Sequence, residues 1–318
     1  MLTRTLCTFA VTLALAAAVK AQVARMEIHP FQSATPTDQE FLTGHEGKTV
    51  TIAGELRLPR ATTERQPAVI LLHGSGGVSG YVVDWEQELN AIGVATFVVD
   101  SFTARGIVNT NYDQGQLSQT AMILDAYRAL DLLSKHPRVD ATRIAVMGFS
   151  KGGQAALYSS LNRFRTMHEP KANAFAAYIA FYPACATMFR DEENVADKPI
   201  RIFHGTADDY NSIIPCRDYV ARLKANGKEV QLIEFAGAGH VFDGRAYRTP
   251  VKLEKAQTRR NCRVAEKADG MLVSVKTGQP WSWSDPCVEY GPTLAYDEKA
   301  STEARKAVRE FVTAVLKP

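Results

Sequence analysis

The chain has 318 residues, 46% of them hydrophobic and 22% charged, with 37 basic against 34 acidic side chains and a formal net charge of +3. That length accommodates one large α/β domain or two small ones. The near-neutral balance, with no basic block interleaved with aromatics, argues against nucleic acid or an anionic membrane as partner. There is no internal repeat and no low-complexity linker.

The first segment reads as an export signal rather than as part of the fold. Arg4 gives a positive n-region, Leu6 to Val19 form an apolar run, and Val19-Lys20-Ala21 supplies small residues before a cleavage point. We therefore expect a signal peptide over 1–21, cleaved after Ala21 to leave Gln22 first, and a periplasmic or secreted protein. The alternative is an uncleaved anchor, but the run is short for a membrane span and no later stretch is long enough. Losing Arg4 and Lys20 leaves 35 basic against 34 acidic residues. Residues 22–318 are expected to form a single domain with no stable membrane insertion.

Residues 22–47 are polar and read as irregular. Thr49–Leu58 alternates enough to read as an antiparallel strand. From Ala68 the pattern becomes strand, helix, strand, helix, which argues for a mostly parallel central sheet with helices on both faces. Ala68–Leu72 is a buried-type strand that runs into His73-Gly74-Ser75-Gly76-Gly77. Ala95–Asp100 is the next strand. Over Leu117–Leu133, Leu117, Ala121, Leu124, Tyr127 and Leu130 recur at helical spacing, and His136-Pro137 closes that helix.

Ile144–Met147 reads as a buried parallel strand, followed by Gly148-Phe149-Ser150-Lys151-Gly152 and a helix from Gly153. Strand, Gly-x-Ser-x-Gly, helix is the setting of a nucleophile elbow. The turn is too tight for flanking side chains and lifts the Ser150 hydroxyl to a helix N-terminus, where the Lys151 N–H can face an oxyanion. A serine needs a base, and the base needs an orienting acid. Pro199–Phe203 reads as a strand that ends in His204-Gly205-Thr206-Ala207-Asp208-Asp209. Val230–Phe235 reads as another, followed by Gly237-Ala238-Gly239-His240. Ser150, an Asp of the pair 208–209, and His240 stand in the order of α/β-hydrolases, each beyond a strand's C-terminal end. A second oxyanion donor is expected from the Ser75 N–H, with Gly76 as the other possibility, whereas His73 reads as a packed structural residue.

Between His240 and a closing helix over 301–317, carrying Ala307, Phe311 and Val315 on one side, lie about sixty residues that break the alternation. This insertion, at about 245–298, holds Trp281 and Trp283, which either line a substrate pocket or pack on the body. Its Lys252, Lys255, Arg259, Arg260 and Arg263 read as a solvated face. After signal removal four cysteines remain, with three possible pairings. Cys185 and Cys216 follow strand ends expected to be neighbours, and Cys262 and Cys287 bracket much of the insertion, so those are the pairs expected. No cysteine pair has metal-ligand spacing, there is no His-Glu-x-x-His, and no metal is expected.

Five stretches together resemble the dienelactone hydrolase family of α/β-hydrolases, in an exported form. They are His73-Gly74-Ser75-Gly76-Gly77, Asp100-Ser101-Phe102-Thr103-Ala104-Arg105-Gly106, Gly148–Gly153, His204–Asp208 and Gly239-His240. The resemblance implies a single-domain hydrolase without a cofactor and favours Asp208 over Asp209 as the acid. Arg105 either pairs with a substrate carboxylate or holds its own loop. The enzyme that names the family uses cysteine where this chain has Ser150, so its substrate does not carry over. A serine triad in this family looks more like a carboxylesterase acting on a small-molecule ester. The competing readings are a prolyl-oligopeptidase-type peptidase and a non-catalytic binding protein on the same scaffold. The sequence is silent on oligomeric state.

Overall fold

The computed structural model describes residues 23–169 and 174–317. The segment expected to be a signal peptide lies outside the described residues. Nine strands and seven helices carry the architecture. In chain order they are β1 (Arg25–Thr35), α1 (Asp38–Leu42), β2 (Lys48–Leu58), β3 (Gln66–Leu72), α2 (Gly80–Ala91), β4 (Ala95–Asp100), α3 (Gln119–Ser134) and β5 (Val139–Phe149). The second half continues with α4 (Lys151–Tyr158), α5 (Asn162–His168), β6 (Tyr178–Phe181), β7 (Thr187–Met188), β8 (Ile200–Gly205), α6 (Ile214–Ala225), β9 (Val230–Phe235) and α7 (Glu298–Leu316).

Eight of the strands form one sheet in the order β1-β2-β4-β3-β5-β6-β8-β9. β1, β2 and β4 pair antiparallel, and every pair from β4 to β9 is parallel. The parallel strands are runs of apolar residues because both of their faces are covered. In β3, Ile70 and Leu72 join the core beneath α3, α4, α5 and α6, while Val69 and Leu71 join the core beneath α2 and α7. That is the period of two a strand imposes.

One expectation needs correction. Residues 22–47 are not irregular, since β1 pairs with β2 along its whole length, Arg25 opposite Leu58 to Thr35 opposite Lys48. The strand hides in the sequence because it is a sheet edge, exposed over much of its first half and interrupted by Pro30, which an edge tolerates. The helix α1 is a single capped turn, with Thr37 and Glu40 forming a reciprocal capping box. The closing helix buries Ala300, Ala304, Val308, Val312 and Leu316, and the expected Ala307, Phe311 and Val315 pack partly buried beside them on the same core.

The region 245–298 contains short two-stranded and three-stranded pieces. Val264–Glu266 pairs with Leu272–Ser274 and, in parallel, with β7. Cys185 is bonded to Cys216 and Cys262 to Cys287, with sulfurs 2.00 and 2.02 Å apart. Among the described residues no helix is long and apolar enough to cross a membrane.

Candidate active site

The turn after β5 is built on forced backbone geometry. Ser150 adopts φ 52° and ψ −113°, a left-handed conformation that costs a non-glycine residue roughly 1–3 kcal/mol. Its N–H donates to Phe181 O of β6 at 2.9 Å, and its carbonyl accepts from Gln154 N at 2.9 Å, which starts α4. The flanking glycines are sterically required. A Cβ on Gly148 would lie 2.0 Å from Gly152 O, and one on Gly152 would lie 2.3 Å from Leu72 O. The strain therefore persists because β3, β6 and α4 all press on the turn.

His240 follows β9 in a loop that turns through Gly237 and Val241, both at positive φ. Its Nε2 lies 3.0 Å from Ser150 Oγ and its Nδ1 lies 2.7 Å from Asp208 Oδ2. The other oxygen of Asp208 accepts the Tyr210 and Asn211 N–H groups, each at 2.8 Å. Burial alone would raise the Asp208 pKa, but the charge and hydrogen bond of His240, with help from His204, hold it below the ordinary value. Asp209 points elsewhere, its Oδ1 accepting the Thr293 N–H at 2.8 Å. Tyr182 and Tyr210 pack on His240, each with ring centroids 4.7 Å away.

The loop after β3 lies beside this group. The Ser75 carbonyl accepts from Thr110 N at 2.7 Å and its hydroxyl donates to Gln114 Oε1 at 3.0 Å. The Ser75 N–H and the Lys151 N–H have no hydrogen-bond partner among the described residues. His73 is a buried structural group: its ring contacts Gly74 O through Nδ1 and accepts the Ser101 N–H at Nε2. Burial lowers its pKa and favours the neutral form.

Two cavities meet at Ser150. The first, of about 40 Å³, takes its walls from Lys151, Gln119, Gln154, Arg259, Trp281 and Trp283, with Asp38 also exposed to it. The second, of about 80 Å³, is bounded by Tyr81, His240, Val241, Tyr247 and Leu294. Ser75, Ser150 and Tyr210 border both.

Arg105 is absent from both linings, and a role on a substrate carboxylate there is ruled out by its contacts. Its guanidinium makes a bidentate pair with buried Asp125, at 2.8 and 2.9 Å, and bonds the carbonyls of Ala34 and Ser101. All its donors serve to hold β1, the 101–105 loop and α3 together. The basic stretch is corrected in part as well: Arg259 is buried, only 6% exposed, and borders the first cavity.

Sequence reasoning missed Gln114, Tyr210 and Arg259. Gln114 bonds Ser75, and its Nε2 donates to Tyr210 OH at 3.0 Å, joining the loop after β3 to the acid loop. No local pattern marks these residues, because each acquires its place from tertiary packing. Elsewhere, Glu27, His29 and His136 bring three ligand-type atoms within 4.8 Å of one another. Both histidine Nε2 atoms bond Glu27 Oε2, and the Arg138 N–H occupies His136 Nδ1, so the group is closed by its own hydrogen bonds.

Residues 52–269 match the sequence model of the dienelactone hydrolase family. The chain belongs to that family. Membership makes it a hydrolase directed at ester bonds. A curated relative, a probable 2-oxo-3-(5-oxofuran-2-ylidene)propanoate lactonase of a Bradyrhizobium species, is 24% identical over 195 residues, 57% of this chain and 75% of the relative. Among solved structures, the dienelactone hydrolase-like promiscuous phosphotriesterase P91 from metagenomic libraries superposes with a TM-score of 0.60 at 17% identity, covering 91% of this chain and 98% of that one. Esterase 2 of Thermogutta terrifontis gives 0.51 at 18% identity, over 70% and 86% of the two chains. These structures share the fold of this dienelactone hydrolase family member.

Proposed function

We propose that the protein is an exported serine hydrolase that cleaves carboxylic esters through Ser150, His240 and Asp208. The observation that carries this reading is the unbroken chain of contacts from Ser150 Oγ to His240 at 3.0 Å and from His240 to Asp208 at 2.7 Å, with Ser150 on a strained turn. His240 Nε2 takes the Ser150 proton as Oγ bonds the ester carbonyl carbon. The N–H groups of Lys151 and Ser75 receive the negative charge that develops on the carbonyl oxygen. The C–O bond to the alcohol then breaks, and His240 returns the proton to the departing oxygen. Water, deprotonated by His240, attacks the acyl-serine and releases the acid. Asp208 fixes the imidazole tautomer throughout.

Residues 22–318 are read as one domain, with the insertion pinned by Cys262–Cys287. Export rests on the features of residues 1–21 and is favoured by the two disulfides, which oxidising compartments permit. The proposed partner is a small-molecule ester, and no cofactor takes part in these steps.

Hydrolysis of p-nitrophenyl esters by the wild type and by Ser150→Ala tests the chemistry. Activity confined to the wild type, with fluorophosphonate labelling at Ser150, is the expected result. Equal turnover by both proteins would remove Ser150 from the mechanism. Mass determination of the N-terminus in a host that exports the protein tests cleavage before Gln22.

A further inference from the structure

The two cavities at Ser150 are chemically unlike, and the mechanism above dictates which part of an ester enters each. The departing alcohol oxygen must come within reach of His240 Nε2 to receive its proton. His240 borders the cavity of Tyr81, Tyr247 and Leu294 and not the one of Arg259. With the carbonyl carbon at Ser150 Oγ between them, the acyl substituent is left to the Arg259 side.

That side is built for oxygen rather than hydrocarbon. The Arg259 Nη2 donates to Gln119 Oε1 at 3.2 Å and Gln154 Oε1 at 2.9 Å. Among the described residues its Nε and Nη1 have no hydrogen-bond partner, and no carboxylate lies within ion-pair distance of it. The Lys151 Nζ donates to the carbonyls of Gln114 at 2.9 Å and Leu117 at 2.7 Å. Asp38 is the one acid in the lining, and its burial pushes it toward the neutral form. Burial likewise pushes the Lys151 amine down to about 7, so the Arg259 guanidinium is the lasting cation of this cavity. A methylene chain placed there would leave those donors dry and unpaired, whereas an acceptor oxygen would satisfy them.

We infer that the acyl half of the substrate occupies the Arg259 cavity and the alcohol half the Tyr247 cavity. The enzyme therefore selects short acyl groups that carry an acceptor oxygen of their own. The inference rests on the ester-hydrolase reading of Ser150. Arg259, Trp281 and Trp283 all come from the insertion, so that segment sets acyl specificity.

Three ethyl esters of similar acyl length test it, with acid release followed by pH-stat: monoethyl succinate (anionic), ethyl 4-oxopentanoate (neutral, keto) and ethyl pentanoate (alkyl). The expected kcat/KM for an oxygen-bearing ester exceeds that for pentanoate by about ten- to a hundredfold. Preference for succinate alone identifies an anionic acceptor, and preference for both identifies any acceptor oxygen. Arg259→Met should bring the ratio close to one, read in protein that still labels at Ser150 with fluorophosphonate. Tyr247→Ala, read on methyl against benzyl pentanoate, should change the alcohol preference and leave the acyl ratio as in the wild type. A wild-type ratio of one or less, with turnover that still depends on Ser150, overturns this inference and spares the hydrolase reading. An acyl ratio that moves with Tyr247 and not with Arg259 overturns the assignment of the cavities. Absence of both turnover and labelling overturns the two together.

Discussion

Tyr182 stands across His240 with ring centroids 4.7 Å apart at an interplanar angle of 61°, while its hydroxyl donates to the buried carboxylate of Asp243 at 2.8 Å. The second oxygen of Asp243 accepts Trp85 Nε1 at 2.6 Å. Asp243 lies three residues after His240, so one tyrosine touches the imidazole and also anchors the loop that carries it. Tyr210 leans on the same ring at 39°. The imidazole is thus confined sideways by aromatic faces and lengthwise by Asp208 and Ser150.

Tyr182→Phe keeps the ring and deletes the donor to a buried carboxylate. We expect it to lose about 1–3 kcal/mol in urea unfolding, with Ser150 labelling slowed less than in Tyr182→Ala, where the contact with His240 also disappears.

Asp208→Asn should leave far-ultraviolet circular dichroism intact and lower kcat by about 10⁴-fold, because the imidazole loses the partner that fixes its tautomer. A loss below tenfold would assign the orienting role to another group.

Glu86 supplies a pH test remote from Ser150. Burial pushes its carboxyl up to about 7, against a partial counter-effect of Arg57. A raised carboxyl pKa means the folded protein binds more protons than the unfolded chain between about pH 4.5 and 7. Its contribution to stability is therefore greatest at the acid end and declines as pH rises through that window. Glu86→Gln should be more stable than the wild type at pH 8, by a few kcal/mol at most, and the difference should shrink toward pH 5. Urea unfolding at both pH values reads it directly.

Gly152→Ala should fail to fold or should lose more than about 3 kcal/mol, since the new Cβ meets Leu72 O at 2.3 Å and His73 O at 2.4 Å, both backbone atoms that cannot swing away. Soluble yield and thermal melting distinguish this from a purely catalytic defect.

Replacing Cys185 and Cys216 together by alanine opens a link between positions 31 residues apart, worth about 3–4 kcal/mol by loop entropy. Both cysteines are buried, so reductant should cleave the bond only when the protein opens. Thiol trapping with and without urea reports this.

What the sequence disclosed follows from what is local. The parallel strands were legible because burial on both faces writes itself as a run such as Val69-Ile70-Leu71-Leu72, and the elbow because its glycines are needed within five residues. β1 escaped because an edge strand with one solvated face and a proline has no such run. Arg105 stayed open between two readings and Arg259 was misplaced, for a shared reason. Whether an arginine meets an aspartate or a cavity depends on chain segments far away, here Asp125 for one and Gln119 with Gln154 for the other.

The two disulfides are consecutive in the chain and never cross: the first is complete at Cys216, well before Cys262 begins the second. An oxidant that joins cysteines in the order in which they emerge thus reaches the native connectivity directly. The other two pairings both require an early cysteine to wait for a late one. Biogenesis of this hydrolase should accordingly need a source of oxidising equivalents but no isomerase to reshuffle its bonds.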